Sequence, residues 1–374
     1  MNLIGEHIDY AGLAVLPMAI QREIRSWFRP RDDATIRIVN IDDRYAPRSF
    51  AVGSSIPRYP DGDWGNYVKA AAQGLERHCG PLRGFDAVLE STLPTAAGLS
   101  SSSALVVIAA TMLLRASDVE MPMTELADVL ADAERYVGTR GGGMDQAVCL
   151  GGALGAATVV EFDPLRLTPV SVPEGWRFIV ASSLVTAEKS GATREAYNRR
   201  RQDCEDALHA VLAHLDTPRN VASFNDLLEQ LTPFDVEEIV DHVLTGDPLK
   251  RFRHVVTEGA RVQLAVEAMR QGDLDRFGTL MVESHASLRD DFEVSHAELN
   301  RLVDIAMASG AAGARLTGAG FGGCVLALTP AERKQDLISA LRKDYYRARG
   351  FEGPLEDVLF VAEPSDGATV TSLS

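Results

Sequence analysis

The sequence LPTAAGLSSSS at Leu93–Ser103 leads directly into ALVVIAATMLL at Ala104–Leu114. The second segment is apolar all round and long enough to predict a buried helix. Glycine lets the backbone approach a ligand closely, serine hydroxyls cap free N–H groups, and a helix N-terminus carries about half a positive charge. The two segments therefore predict an anion cradle that needs no basic residue. A plain serine-capped helix is the alternative, and the loop lacks the Gly-Lys-Ser/Thr ending of a Walker loop.

Around this loop, apolar residues recur at strand or helix spacing. In the first half of the chain we expect strands at Leu13–Ile20, Thr35–Ile41, Phe85–Ser91, Ala157–Phe162 and Arg177–Ala181, and helices at Trp64–Arg77 and Met123–Val137. The later pattern predicts mostly helix over Thr193–Ser309, a strand pair over Gly313–Leu328, a helix over Ala331–Tyr345 and a strand over Asp357–Ala362. Pro and Gly residues within 163–175 predict a boundary between two α+β domains, 1–170 and 171–374.

Composition excludes several classes of protein. Lys plus Arg is 37 and Asp plus Glu is 53, so the net charge of -16 has the wrong sign for a nucleic-acid binder. No apolar run is long enough for a membrane span. The four cysteines are widely spaced, which argues against a zinc ribbon or a disulfide scaffold and favours a reducing, cytoplasmic setting.

A second glycine-rich loop presents one carboxylate. Gly138–Gln146 contains three consecutive glycines followed closely by Asp145. In a phosphate-binding protein, such an aspartate is a candidate base or metal ligand, and a tight turn capped by Asp145 is the alternative. Glu134, at the end of the preceding helix, either faces solvent or reaches a Mg²⁺ ion beside the serines.

Two further segments carry polar or glycine-rich patterns. Gly313–Cys324 has four glycines within six positions before an apolar strand, at a spacing that differs from the dinucleotide-binding motif. Gly5–Tyr10 places Glu6, His7 and Asp9 between apolar segments, which suits hydroxyl recognition better than a core. No histidine cluster supports a metal site around His7.

Together these motifs resemble the galactokinase family of the GHMP kinase superfamily. Asn2–Tyr10 is similar to its sugar signature, Gly98–Ser103 to its ATP phosphate loop, and Gly318–Gly323 to its third motif. Three more segments match in order: Trp64–Lys69, Tyr197–Arg201 and Ser284–Asp291. The resemblance implies a two-domain α+β GHMP kinase fold, with an N-terminal domain of the ribosomal-protein-S5 type, a ferredoxin-like C-terminal domain and the site between them.

The resemblance also implies an ATP- and Mg²⁺-dependent kinase that phosphorylates the anomeric hydroxyl of galactose. Asp145 matches the catalytic aspartate that takes the hydroxyl proton, Ser102 and Glu134 match the Mg²⁺ ligands, and Trp64 lies where the family places an adenine-side aromatic. The sugar contacts are matched by Glu6, His7, Asp9, Gly142 and Tyr197. The positions matching the triphosphate cradle are Ala96, Ala97, Gly98, Leu99, Ser100, Ser101, Ser102, Ser103, Ala104 and Leu105. The implied partners are a sugar and ATP, bound by a monomer.

Two departures from the family pattern leave alternatives open. The family carries an arginine two residues before the position of Asn2, which lies ahead of Met1, so we expect an internal start that cuts the first strand. The Thr139–Asp145 loop is closer to the N-acetylgalactosamine kinase branch, whereas Tyr197 favours galactokinase. N-acetylgalactosamine kinase, another GHMP sugar kinase and a non-catalytic sugar and ATP sensor are therefore alternatives.

Overall fold

The computed structural model describes residues 1–93, 98–186, 191–214, 221, 223–230, 240 and 242–372. The strands of the first half are β1 (Asn2–Ile4), β2 (Leu16–Pro17), β3 (Ile24–Pro30), β4 (Thr35–Asn40), β5 (Arg48–Ala51), β6 (Phe85–Ser91), β7 (Ala156–Glu161) and β8 (Arg166–Ser171). The helices of this half are α1 (Gly65–Cys79), α2 (Ser101–Ser117), α3 (Met123–Ala133) and α4 (Met144–Gly151).

The second half contains more helix. Its described helices are α5 (Ala192–His214), α6 (Phe224–Gln230), α7 (Gly246–Gln271), α8 (Leu274–Asp290), α9 (Ala297–Ala308) and α10 (Lys334–Leu341). Its strands are β9 (Trp176–Ser182), β10 (Gly313–Thr317), β11 (Cys324–Pro330) and β12 (Leu359–Ala362).

Two four-stranded sheets organise these elements. The first has the order β3-β6-β4-β5 and is antiparallel except for the parallel pair of β4 and β6. Its inward side chains, such as Ile36, Ile38 and Phe85, join a core with α1 and α2. The second has the order β10-β11-β9-β12 and is antiparallel throughout. The architecture is therefore α+β, as the sequence predicts.

The first strand belongs to the core of the second half. Leu3 and Ile4 of β1 are fully buried in the same apolar cluster as Phe178 of β9 and Leu316 of β10. β1 pairs with β2, and the short β7–β8 sheet joins the same cluster. The segment that follows β1 is therefore positioned by the second half of the chain, and the predicted boundary near residue 170 remains a prediction.

Several predicted elements differ from the observed ones. Within the predicted strand Leu13–Ile20, only Leu16–Pro17 pairs with β1, while Val15 and Ile20 make isolated bridges to Val160 and Pro364. β3, β5 and β8 were not predicted, since their outward polar and proline residues dilute the apolar alternation. The predicted helix Met123–Val137 changes to a 3₁₀ turn at Glu134, and helix α2 begins at Ser101, before the apolar run. The predicted helix Ala331–Tyr345 starts and ends in non-α turns around α10.

Within the described residues, no helix combines the length and the apolar composition that a bilayer crossing needs.

The core of the second half predicts where the chain is sensitive to truncation. Phe277 on α8 is fully buried, and its ring centroid lies 5.1 Å from that of Trp176 and 6.1 Å from that of Phe178. We expect Phe277→Ala to lower the free energy of unfolding by about 3–5 kcal/mol, because it leaves a cavity among these rings. The exposed Trp27 is the control, and Trp27→Ala should cost less than about 1 kcal/mol. Equal urea midpoints for the two variants would contradict this placement of the core.

Candidate active site

One cavity of about 750 Å³ lies between the two halves of the chain. It is bordered by the segment after β1, the first turn of α2, the glycine-rich loop before α4, and the start of α5. The cavity-lining residues among the predicted site residues are Glu6, His7, Asp9, Trp64, Gly98, Ser100, Ser101, Ser102, Leu105, Glu134, Gly142, Asp145 and Tyr197. Motifs that are far apart in sequence therefore meet at one site.

A tight turn presents Glu6 to the cavity. Gly5 and His7 both have positive φ angles, of 99° and 62°, and Glu6 lies between them. The Glu6 carboxylate accepts a hydrogen bond from the Arg315 guanidinium at 2.9 Å. Glu6 is 3% exposed, and burial raises its pKa to about 7, although Arg315 opposes the shift. The turn therefore holds a carboxylate that takes up a proton close to neutral pH.

Asp9 ties the same segment to the glycine-rich loop. Its Oδ2 atom accepts a hydrogen bond from the Gly142 backbone N–H at 3.1 Å. A Cβ atom at Gly142 would lie 2.2 Å from the Tyr10 nitrogen, so only glycine fits this approach. Burial and, to a smaller extent, the nearby charge of Asp145 together raise the Asp9 pKa to about 6. Asp9 and Asp145 therefore face the same volume.

His7 is neutral and already engaged by protein groups. Its Nε2 atom lies 3.1 Å from the Ala319 carbonyl oxygen, which can only accept, so Nε2 carries the proton. Its Nδ1 atom then accepts from the Tyr10 hydroxyl at 3.3 Å. Burial lowers the His7 pKa to about 3. A ligand hydroxyl that donates a hydrogen bond to Nδ1 must therefore replace the Tyr10 hydroxyl.

Aromatic rings close this end of the cavity. The Tyr197 ring centroid lies 5.4 Å from that of His7 and 6.1 Å from that of Tyr10. Burial raises the Tyr197 pKa well above its ordinary value, so its hydroxyl stays protonated. Tyr197 can therefore act as a hydrogen-bond donor beside the two carboxylates.

Helix α5 fixes the glycine-rich loop. Asn198 donates to the Gly138 carbonyl at 3.1 Å, and Arg201 donates to the Arg140 carbonyl at 2.7 Å. These contacts hold the loop that leads into α4, where Asp145 lies in the first turn. Asp145 therefore lies on a helix whose preceding loop is held in place, and not on a free turn.

The first turn of α2, where the sequence predicts an anion cradle, borders the cavity. Ser100 is the N-cap residue, with a φ of 56°, and its side chain makes no capping hydrogen bond, so the serine capping that the sequence predicts is not made by this residue. The N–H groups of a first helical turn have no intrahelical acceptor. Ser102 borders the cavity, whereas the Ser103 hydroxyl is buried and donates to Glu134 Oε1 at 2.8 Å. Ser103 thus orients the carboxylate that borders the cavity.

The third motif packs directly against the phosphate loop. A Cβ atom at Gly318 would lie 2.5 Å from the Gly98 carbonyl oxygen. Thr317 in turn donates to the Asn2 carbonyl at 2.9 Å, which connects the motif to β1. The third motif therefore holds the phosphate loop and the first strand at a fixed separation.

Trp64 lies at the far end of the cavity, beside the first sheet. Its indole N–H donates to the Ala46 carbonyl at 3.2 Å, and its ring lies edge-on to Tyr45 with centroids 6.5 Å apart. Tyr45 borders the same cavity. This pair forms an aromatic wall of the kind that binds a planar base.

Not every predicted position borders the cavity. Ala96 and Ala97 lie outside the described residues, and Leu99, Ser103 and Ala104 are not among its lining residues. Sequence analysis also missed Arg315, Glu258 and His254, which are fully buried. The available signal for Arg315 was a charged residue inside an otherwise apolar strand, and the two α7 residues gave none.

The chain matches three protein-family models. Residues 66–153 match the GHMP kinases N terminal domain, residues 265–347 match the GHMP kinases C terminal domain, and residues 1–30 match the galactokinase galactose-binding signature. Each matched region supplies part of the cavity lining, whereas the lining residues within 40–64 and 186–197 lie outside all three.

Curated relatives and solved structures are similar to this chain over most of its length. Galactokinases of Chloroflexus aggregans and Chloroflexus aurantiacus are each 37% identical over 350 residues, covering 92% of this chain and 86% of the relative. The crystal structure of Lactococcus lactis galactokinase complexed with galactose matches with a TM-score of 0.88 and 29% identity, over 98% of this chain and 92% of that one. Methanococcus jannaschii mevalonate kinase shares the fold, with a TM-score of 0.64 at 17% identity, over 98% and 96% of the chains. This chain therefore belongs to the galactokinase family of GHMP kinases.

Proposed function

We propose that this chain transfers the γ-phosphoryl group of ATP to the anomeric hydroxyl of galactose, forming galactose 1-phosphate and ADP. The observation that carries this proposal is the single cavity in which Asp145, the carboxylates of Glu6 and Asp9, and the first turn of α2 meet. Phosphoryl transfer needs positioning and charge stabilisation more than covalent chemistry, and this arrangement supplies both. The relatives named galactokinase and the relative crystallised with galactose support the choice of sugar.

The sugar occupies the end of the cavity bordered by Glu6, Asp9 and Tyr197. Carboxylates accept hydrogen bonds from sugar hydroxyls, and the Tyr197 hydroxyl donates to a ring or hydroxyl oxygen. The contact between Asp9 and Gly142 brings the turn Gly5–Tyr10, which we call the sugar loop, against the glycine-rich loop before Asp145. The anomeric hydroxyl therefore faces Asp145, which takes its proton as the oxygen attacks phosphorus.

The triphosphate lies against the first turn of α2, with the base toward Trp64. Backbone N–H groups and the helix dipole stabilise negative charge there, so a chain with a net charge of -16 binds phosphate without a lysine in this loop. Gly98 and Gly318 let the phosphate loop and the third motif pack backbone against backbone beside this turn.

The residues at the cavity fit a Mg²⁺ ion bound together with ATP. Ser102 and Glu134 both border the cavity and offer oxygen atoms, the donor type that Mg²⁺ prefers. The described residues contain no group of three or more His, Cys, Asp or Glu side chains arranged as a metal cage. That agrees with an ion held by one carboxylate, a hydroxyl and substrate phosphates. Bound there, Mg²⁺ neutralises phosphate charge and orients the γ-phosphoryl group.

We further infer that the enzyme acts as a monomer in the cytoplasm. The proposed base, sugar loop and phosphate loop all belong to one chain. Cys79, Cys149, Cys204 and Cys324 are free thiols, which suits a reducing compartment.

The test of the proposed activity is ADP release measured with galactose, N-acetylgalactosamine, glucose and mevalonate. We expect turnover with galactose, far less with glucose and mevalonate, and none with any sugar after EDTA removes Mg²⁺. Faster turnover of N-acetylgalactosamine would move the assignment to that kinase branch. ATP binding without turnover of any of the four would favour a sensor and contradict the proposal.

Asp145→Asn tests the assignment of the base. The amide keeps the shape but cannot take the hydroxyl proton, so we expect kcat to fall by about 10²–10⁴-fold while ATP affinity stays within about twofold. Asp132→Asn, at an exposed position of α3, is the matched control and should keep full activity. Steady-state kinetics and ATP titration provide both values. Activity retained in Asp145→Asn would show that another group accepts the proton.

The raised pKa values of Glu6 and Asp9 predict how sugar capture depends on pH. Below pKa values of about 7 and about 6 these carboxyls are protonated and lose acceptor capacity. We therefore expect kcat/KM for galactose to rise as pH increases through these values and then to level off. Glu6→Gln should remove the upper part of this rise. A flat kcat/KM profile for the unmodified protein between about pH 5 and pH 8 would contradict the prediction.

A further inference from the structure

Arg315 lies beneath the sugar loop rather than in the cavity. It is fully buried in β10, between apolar neighbours, and is not among the residues that border the cavity. One guanidinium nitrogen donates to Glu6 Oε2 at 2.9 Å, and the other donates to the Leu3 carbonyl at 2.9 Å. Arg315 therefore holds both the side chain that faces the sugar and the strand that precedes it.

Helix α7 holds the backbone of the same turn. Glu258 accepts a hydrogen bond from the Gly5 N–H at 3.0 Å, and His254, one helical turn earlier, donates to the Glu6 carbonyl at 3.0 Å. Both side chains are fully buried. Burial opposes ionisation of Glu258, yet the Arg261 and Arg315 cations lower its pKa to about 2. Helix α7 thus holds the peptide groups that flank Gly5–Glu6, while Arg315 holds the Glu6 carboxylate.

Stability alone gives a poor account of this arrangement. A fully buried arginine paired with a carboxylate is often no more stabilising than apolar residues of similar volume, because desolvation offsets the attraction. The Nε atom of Arg315 has no hydrogen-bond partner within the described structure, which adds to that cost. The contact is better explained by what it does to Glu6: one guanidinium nitrogen fixes Oε2 of a carboxylate that borders the cavity, and the other ties the same guanidinium to β1.

We propose that Arg315 is a positioning residue for sugar recognition, holding the Glu6 carboxylate in the orientation that receives the hydroxyl groups of the substrate. The proposal rests on the proposed function. It adds to the residues that shape the sugar site one residue of β10, the strand just before the third motif. It assigns to β10 a role in KM for the sugar, distinct from the packing of the third motif against the phosphate loop.

The charged groups around Glu6 determine what replacement of Arg315 does. Arg315 lies on β10, Asp145 on α4 and Glu258 on α7, and only the first of these lowers the Glu6 pKa. Loss of the guanidinium fork therefore both frees the carboxylate to rotate and favours its protonation.

A double-mutant cycle in galactose kinetics tests the proposal. We expect Arg315→Lys to raise KM for galactose by about 10–100-fold, the effect of losing a charge-assisted hydrogen bond, with kcat and KM for ATP within about threefold. If Arg315 acts through Glu6, the same substitution in a Glu6→Gln background should change KM for galactose by less than about threefold. An equal effect in both backgrounds would overturn the proposal.

Arg251→Lys is the matched control for loss of a buried arginine. Arg251 is fully buried and paired with Glu293 at 2.6 Å, and it does not border the cavity. It should lose thermal stability to a similar extent while KM for galactose stays within about twofold. A KM increase in Arg251→Lys equal to that in Arg315→Lys would show a general packing effect and would overturn the proposal.

A spectroscopic readout separates this proposal from the proposed function. In protein labelled with ¹³C at the glutamate carboxyl, the resonance missing in Glu6→Gln belongs to Glu6. We expect its titration midpoint to move upward in Arg315→Lys and further in Arg315→Met, whether or not galactose is turned over. If Arg315→Met does not fold, Arg315→Lys alone decides. An unmoved midpoint would overturn the proposal, whereas a moved midpoint without galactose turnover would overturn only the proposed function.

Discussion

The contact between Arg315 and Glu6 holds the N-terminal turn of the proposed sugar site against strand β10 of the second half. Both groups are removed from water, so their attraction is only weakly screened. Burial raises the pKa of the Glu6 carboxyl, and Arg315 is the charged neighbour that opposes this shift. Because Arg315 also holds the Leu3 carbonyl, β1 and the turn that follows it are fixed to β10 as one unit. The sugar loop is therefore N-terminal in sequence but belongs to the second half of the structure.

The phosphate side of the cavity follows a different physical rule. The protein carries a net charge of -16, and its predicted anion site contains serines and glycines instead of lysines. In the proposed binding mode, attraction for phosphate comes from oriented N–H groups and the dipole of α2, which act over a few ångströms. Close backbone approach between Gly98 and Gly318 fixes where that dipole points relative to β1. A strongly acidic galactokinase-family protein can bind ATP because its overall charge and its local field are set by different parts of the molecule.

Much of the site could be predicted from local pattern and from family resemblance. The serine-rich start of α2, the glycine-rich loop before Asp145 and the polar turn at Glu6 all border one cavity. Each of these motifs is short, and its chemistry depends on residues adjacent in sequence. The strands β3 and β5 were not predicted because arginine and serine residues interrupt their apolar alternation. The different surroundings of Ser102 and Ser103 could not be predicted, since the two residues have the same side chain and only the helical rotation distinguishes them.

The sequence by itself determined the chemical groups of this protein: a helix N-terminus for phosphate, an aspartate on a glycine-rich loop, and a polar turn for hydroxyl groups. Only the tertiary structure decided how those groups are held. Glu258 and His254 look like ordinary helical residues in sequence, yet they bind the backbone on either side of Glu6. Such contacts join residues about 250 positions apart, and their energy comes from burial that exists only after both halves have packed. Local sequence patterns extend over a few helical turns and carry no information about those partners.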